Sequence, residues 1–304
     1  MSIIEVHNVR KTFESIVALD KMNVSVEKGE IFGFIGPDGA GKSTLFRILA
    51  TLMVPDEGKA TMMDYDTVKD YREIRQHIGY MPGRFSLYTD LSVEENLRFF
   101  AHIYGTNIEE HYDWIKDIYD QIAPFKKRRA GDLSGGMKQK LALSCALIHK
   151  PDVLLLDEPT TGVDAVSRRE FWQVLQRLKN EGLTIVVSTP YMDEASQCDR
   201  VALIQDGHLM AVDTPLSITR KFEKPLYAVA GTPRYFTLQQ VRSWGETVRA
   251  YPFGERLHLV TDEPADTEEL IRRLEMVGIT DVVMDSASPT IEDAFIALME
   301  HHHG

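Results

Sequence analysis

Three features of the sequence predict an α/β fold built around a phosphate-cradling loop, followed by a smaller α+β domain. The first is Gly36-Pro37-Asp38-Gly39-Ala40-Gly41-Lys42-Ser43-Thr44, which fits the P-loop pattern Gly-x-x-x-x-Gly-Lys-Ser/Thr. The second is Val153-Leu154-Leu155-Leu156-Asp157-Glu158, an apolar run closed by two acids. The third is the βαββαβ alternation of residues 226–284.

The loop stands between Glu30-Ile31-Phe32-Gly33-Phe34-Ile35, which reads as a buried strand, and Leu45-Phe46-Arg47-Ile48-Leu49, which reads as a helix. Glycines let the backbone curl around phosphate oxygens, and the helix N-terminus adds favourable partial charge. Lys42 would reach the β- and γ-phosphates of a nucleotide, and the Ser43 hydroxyl would ligate Mg²⁺.

Composition narrows the class. The 304 residues suggest one large or two smaller domains, and 43% hydrophobic residues supply a sizeable core. No apolar run approaches the roughly 20 residues of a membrane helix. The start lacks a charged segment followed by a long apolar one, so no signal peptide is expected. Cys145 and Cys198 lack metal-type spacing and are expected as reduced thiols. A net charge of −12 argues against a nucleic-acid partner. The cluster Lys126-Lys127-Arg128-Arg129 is expected as a solvated loop, and the terminal His301-His302-His303 is given no metal role.

In chain order, Ile3–Val6 and Asn23–Val26 alternate as half-buried strands. Between them, Phe13 and Val17 sit among small apolar residues. Phe13 would either stack on a purine ring or fill the core. Pro55-Asp56-Glu57-Gly58 is a turn, and Ile78–Pro82 reads as a strand leaving the core. Residues 89–150 read as an inserted helical subdomain, with a capping box at Ser92-Val93-Glu94-Glu95.

Within that insert, Leu133-Ser134-Gly135-Gly136-Met137 precedes a helix expected over 140–149. Ser134, Gly135 and Gly136 form either a second anion-binding surface or a plain helix cap. The run 153–156 would carry Asp157 to the C-terminal edge of a parallel sheet, where ligands bind. Asp157 would hold Mg²⁺ through water, and Glu158 would face the attacking water. Pro159–Asp164 is a loop leading to an amphipathic helix around 168–180. Leu183–Thr189 is a further buried strand ending at Pro190, and Gln205-Asp206-Gly207-His208 reads as a hairpin turn. After a break at 222–225 comes the βαββαβ tail, ferredoxin-like, closed by a helix from Ile291 with Thr290 as its cap and Asp293 as its box partner.

The P-loop, Leu-Ser-Gly-Gly-Met, the strand ending Asp157-Glu158 and Pro159-Thr160-Thr161-Gly162-Val163-Asp164, in that order, resemble the nucleotide-binding subunit of ABC transporters over residues 2–220. Tyr80-Met81-Pro82, the run from Leu87 to Leu97, Tyr191-Met192-Asp193-Glu194-Ala195 and Ser288–Phe295 are similar to the ABC-2-type exporter branch, which includes daunorubicin-resistance and YbhF-like multidrug ATPases. The resemblance implies a RecA-like P-loop NTPase core with an N-terminal β-subdomain. It also implies a domain division at 1–221 and 222–304.

The same likeness implies ATP and Mg²⁺ as cofactors and a head-to-tail dimer with a second ABC ATPase subunit. Separate membrane-spanning permease subunits, docked near residues 83–100 at the inner face of the cell membrane, would complete the transporter. Phe13 would stack on adenine beside Val17. Gly36 to Thr44, including Pro37, Asp38, Gly39, Ala40 and Gly41, would cradle phosphate. Ser43 and Asp157 would position Mg²⁺, and Glu158 would be the general base. Ser134–Gly136 would reach the partner's γ-phosphate, and Asp164 would bridge the two sites.

Two positions depart from that pattern. The family's Gln after Tyr-x-Pro is Gly83, and its switch His is Pro190. Proline offers neither a side-chain donor nor a backbone N–H. Losing one transition-state donor costs about 10²–10³ in rate. A slow site of its own, with an intact signature serving a heterodimeric partner, is therefore expected. The alternatives are a non-catalytic nucleotide-sensing module and a soluble ABC ATPase without a transporter.

Overall fold

The computed structural model describes residues 1–303, with side chains through Met299. The side chains of His301–His303 lie outside that description. The chain divides into two compact units, Met1–Pro215 and Leu216–Gly304, parting ahead of the pattern break at Phe222.

The first unit opens with β1 (Ser2–Phe13) and β2 (Ile16–Glu27), a long antiparallel hairpin. The strands run further than their alternation suggests, so Phe13 sits at the hairpin end rather than in a loop. Next come β3 (Ile31–Ile35) and α1 (Lys42–Leu49). They are followed by β4 (Glu57–Met62), β5 (Tyr65–Asp66), α2 (Tyr71–His77) and β6 (Ile78–Met81). The helical insert holds α3 (Val93–Ile103), α4 (Tyr112–Tyr119) and α5 (Gly135–Leu147). The core resumes with β7 (Val153–Asp157), α6 (Ala165–Asn180) and β8 (Thr184–Thr189). A short 3-10 helix, Met192–Gln197, leads to β9 (Arg200–Gln205) and β10 (His208–Asp213); α7 (Pro215–Arg220) starts at the division and falls, apart from Pro215, in the second unit.

Two sheets enclose the core. The smaller has the order β2-β1-β4-β5 and is antiparallel. The larger has the order β10-β9-β3-β8-β7-β6, parallel except for the β10 edge. Strands β3, β7 and β8 are buried along their whole length, as near-continuous apolar runs in a covered parallel sheet should be. Phe46 of α1 packs edge-on against Phe34 at 5.9 Å, within a core of Ile4, Leu19, Met22 and Phe32. Parallel pairing sends the chain out of β3, β6, β7 and β8 at one edge, where open α/β sheets bind ligands.

The capping box forms as read: Ser92 N–H donates to Glu95 Oε2 at 2.8 Å, and Glu95 N–H to Ser92 Oγ at 3.2 Å. Helix α5 differs from the expected 140–149. It starts at Gly135, because Ser134 Oγ caps it and Gly136 packs so closely on α6 that a Cβ there would lie 3.0 Å from Ser167 Oγ.

The second unit runs β11 (Leu226–Thr232), α8 (Arg234–Arg242), β12 (Thr247–Phe253), β13 (Arg256–Thr261), α9 (Thr267–Met276), β14 (Thr280–Ser286) and α10 (Ile291–His303). The sheet order is β12-β13-β11-β14, antiparallel throughout, around a core of Val229, Val241, Leu259 and Leu274. Asp293 joins α10 to this sheet. One carboxylate oxygen accepts from Thr290 N–H and Oγ1–H, both at 2.7 Å. The other accepts from His258 Nδ1 at 2.6 Å and from the Tyr251 hydroxyl. Burial pushes the Asp293 carboxyl up, but the hydrogen bonds from Tyr251, His258 and Thr290 outweigh it and hold the group below its ordinary range.

A depressed carboxyl pKa stabilises the fold above the unfolded-state value and loses that contribution as pH falls through the folded value. Asp293→Ala, which leaves buried donors unpartnered, should cost about 1–3 kcal/mol at neutral pH. In urea titrations, the stability gap between wild type and Asp293→Asn should narrow once pH drops below about 4.

Candidate functional site

Lys42 opens α1 and is buried, with its Nζ donating to Gly36 O at 2.8 Å and Pro37 O at 2.9 Å. The ammonium also lies 3.5 Å from Glu158 Oε1. Two glycines are required sterically. Gly41 has φ of 101°, and a Cβ there would sit 2.3 Å from Ala18 O; one on Gly36 would sit 2.1 Å from Ile204 O. The loop is thus held between β2 and β9, and the first N–H groups of α1 have no intrahelical acceptors.

Asp157, at the buried end of β7, gathers the next contacts. Ser43 Oγ donates to its Oδ1 at 3.1 Å, and Ser188 Oγ donates to the same oxygen at 2.6 Å. Ser188 Oγ also accepts from Glu158 N–H at 3.0 Å. Glu158 has φ of 51°, a left-handed conformation unusual for a side-chain-bearing residue, which such sites sustain only when surrounding contacts impose it. Tyr80 on β6 feels the same centre: burial first, and then the Asp157 charge, push its hydroxyl up to about 12. The Ser43 hydroxyl and Asp157 carboxylate are the hard oxygen donors that Mg²⁺ takes alongside water and phosphate, so the residues fit that ion.

A cavity of about 420 Å³ opens onto this centre. Its walls are Phe13, Ile16, Val17 and Ala18 from the hairpin, Gly39 and Gly41 to Thr44 from the loop and α1, Glu158 and Asp206. Phe13 is 42% exposed and Val17 37% exposed, so Phe13 is a wall of this cavity rather than a core residue. Asp206 was not legible as a wall; its Asp-Gly pair signals only a turn. Both turn residues have positive φ, 48° and 78°, as a two-residue hairpin requires. Gly207 N–H bonds Ala40 O at 3.1 Å, and Gly207 O accepts from Asp20 N–H at 3.0 Å, which locks the turn against the P-loop. Ser188 was missed as well, because only the strand pairing Asp157 with Ser188 reveals it.

The two departing positions fall beside the same centre. A Cβ on Gly83 would meet Asp157 O at 3.2 Å and Asp157 Oδ2 at 3.8 Å. Pro190 directly follows β8, whose last residue, Thr189, accepts at its O from Gly36 N–H at 3.3 Å. Neither brings a polar side chain.

Ser134, Gly135, Gly136 and Asp164 form a separate group, and none lines the cavity. Ser134 Oγ accepts from Met137 N–H at 3.4 Å, and a Cβ on Gly135 would lie 3.5 Å from Gly162 O. Asp164 caps α6 by accepting from Val166 N–H at 3.1 Å and Ser167 N–H at 3.0 Å. The bonds from Ser167, and then from Val166, hold its carboxyl below the ordinary range.

This geometry has known counterparts. Residues 19–161 match the family described as "ABC transporter". The Escherichia coli (strain K12) protein named "Probable multidrug ABC transporter ATP-binding protein YbhF" is 43% identical over 216 residues, 70% of this chain and 37% of that one. The Rhizobium sp. (strain N33) "Nod factor export ATP-binding protein I" is 32% identical over 304 residues, 97% of this chain and 96% of its own length. The chain belongs to the ABC transporter family. It spans only 37% of the length of YbhF, but nearly all of the Nod factor export relative. Among solved structures, a dimeric post-hydrolysis ATP-binding cassette bound to ADP and Pi is similar, with a TM-score of 0.63 and 27% identity over 69% of this chain and 98% of that one. The expected P-loop NTPase fold is therefore the fold of an ABC cassette. No helix among the described residues is long and apolar enough to cross a membrane.

Removing the Ser188 hydroxyl tests the Asp157 centre. Ser188→Ala should cost about 1–3 kcal/mol of stability, since a charged acceptor loses a buried donor. It should also weaken Mg²⁺-dependent nucleotide binding more than Mg²⁺-free binding, as read by fluorescent-nucleotide titration.

Proposed function

We propose that this chain binds Mg-ATP in the cavity between the β1–β2 hairpin and the P-loop, and that it is the ATPase subunit of an exporter whose permease subunits are separate chains. The observation that carries this is the meeting of Ser43, Asp157 and Ser188 beside a buried Lys42 that now occupies loop carbonyls. Phe13 and Val17 offer an exposed apolar wall for adenine. Lys42 and the α1 N-terminus face the phosphates. Mg²⁺ held by Ser43 and Asp157 would neutralise charge on the phosphate oxygens. Glu158 is the candidate general base.

The names of the relatives, multidrug and Nod factor export, support export. The dimeric cassette supports a dimer, which we place head-to-tail at the inner face of the membrane. In that dimer Ser134–Gly136 and Asp164, which stand away from this chain's own cavity, serve the partner's nucleotide. Gly83 and Pro190 leave the chain's own site without two polar groups, so its turnover is slow and a heterodimer with a competent partner is favoured.

Steady-state ATPase assays test this reading. The unmodified chain should turn over slowly, and Pro190→His should raise kcat by about 10²–10³-fold. Gly83→Gln should add less, because its Cβ must first relieve the 3.2 Å approach to Asp157 O. Rapid hydrolysis by the unmodified chain alone would refute the slow site. Phe13→Ala should weaken ATP binding about tenfold without lowering the melting temperature, because the ring is half exposed.

The same two positions favour a second reading, in which nucleotide binding alone regulates a partner. ATP binding without turnover, even in the assembled complex, selects it.

A further inference from the structure

Helix α6 and the segment after β8 are joined at both ends. Toward the helix C-terminus, Gln176 Nε2 donates to Gln197 O at 2.7 Å, and Lys179 Nζ pairs with Asp199 Oδ1 at 2.6 Å. Asp199 Oδ2 accepts from Ile31 N–H at 2.8 Å, where β3 starts toward the P-loop. At the N-terminal end one side chain makes the join. The Arg168 guanidinium lies 4.5 Å from the centre of the Tyr191 ring. Its Nη1 is 3.7 Å from Asp193 Oδ2, and its Nε is 3.9 Å from Glu194 Oε1.

Glu194 is the buried partner in this join. It is 2% exposed, and neither carboxylate oxygen has a hydrogen-bond partner among the described residues. Arg168 is the one cation within 4.0 Å of it among those residues. A buried carboxylate is stabilised by a compensating charge nearby, and Arg168 is the cation placed to supply it. Arg168 thus ties segment 191–194 to α6.

The contacts close a ring. From Glu158 the chain runs through the loop 159–163 to Asp164, which caps α6, and on to Arg168. Arg168 holds Tyr191 and Glu194. Tyr191 N–H donates to Thr189 Oγ1 at 3.0 Å, next to Ser188. Ser188 Oγ then accepts from Glu158 N–H, where the ring began. Position 190, a proline, offers no hydrogen-bond donor through which bound phosphate would place this segment.

We propose that Arg168 is a positioning residue for Glu158, coupling the loop 159–164 to the segment 191–197 so that both respond together when nucleotide binds. This rests on reading the P-loop cavity as an ATP site. Arg168 touches no nucleotide and does no chemistry. It fixes where the chain on either side of Glu158 stands.

The test uses the full chain with MgATP. Three quantities are measured: binding affinity, single-turnover hydrolysis, and hydrogen–deuterium exchange of 159–168 and 191–197 with and without nucleotide. In the unmodified chain MgATP should protect both segments. Arg168→Ala should leave ATP affinity within about twofold while slowing hydrolysis about tenfold, because binding and turnover report different interactions. Protection should then persist in one segment only. Arg168→Lys, which keeps a cation facing Glu194, should recover most of the rate. Should Arg168→Ala fail to fold, Arg168→Ala with Glu194→Gln removes the stranded charge and carries the same expectations. Normal binding, an unchanged hydrolysis rate and joint protection in the variant would overturn the role of Arg168 alone. An unmodified chain that binds no MgATP would overturn the nucleotide-site reading, and the coupling with it.

Discussion

Parallel strand register is the constraint on which the rest of this molecule depends. Ile35 pairs with Thr189, Asp157 with Ser188 and Met81 with Leu156. Four strands therefore end within two residues of one another, stepping back by one from β8 to β7 and from β7 to β6, and each releases its chain at the same edge. The P-loop, Glu158, Gly83 and Pro190 are the residues so released. Asp157 is the last buried position of its strand, and it draws Ser43 and Ser188 to a single oxygen. A slip of one residue in β7 would turn that carboxylate to the opposite face of the sheet and put an apolar side chain in its place.

Much of this was legible in the chain because its signals are local. The P-loop, the acid-tipped strand, the Ser92–Glu95 box and the Thr290–Asp293 cap each rest on a few neighbouring residues whose chemistry admits few conformations. Helix α5 shows where local reading stops. Glycine disfavours helix interiors, so Gly135 and Gly136 read as loop. Close packing on Ser167 and the Ser134 cap override that preference. Ser188, Asp206 and Arg168 were hidden for another reason. Each acts through a residue far away in sequence, and a serine in a strand, an Asp-Gly turn or an arginine on an amphipathic helix has an ordinary local explanation.

The second unit solves a separate problem with its own means. Its sheet carries α10 through one buried aspartate that serves both as helix cap and as acceptor for two side chains of the sheet. A single group thus sets both where the last helix begins and which strands it meets. That economy explains why Thr290 and Asp293 stand three residues apart in the sequence.

The two ends of the cavity are built from different materials. At the P-loop end the walls are backbone, and a Cβ on Gly36 or Gly41 would run into the carbonyl of Ile204 or Ala18. At the other end the walls are the half-exposed side chains of Phe13 and Val17, on a hairpin end. Variation in this protein is therefore channelled. The glycine-walled end is closed to change by its own geometry, while the hairpin end can drift one side chain at a time without disturbing the fold.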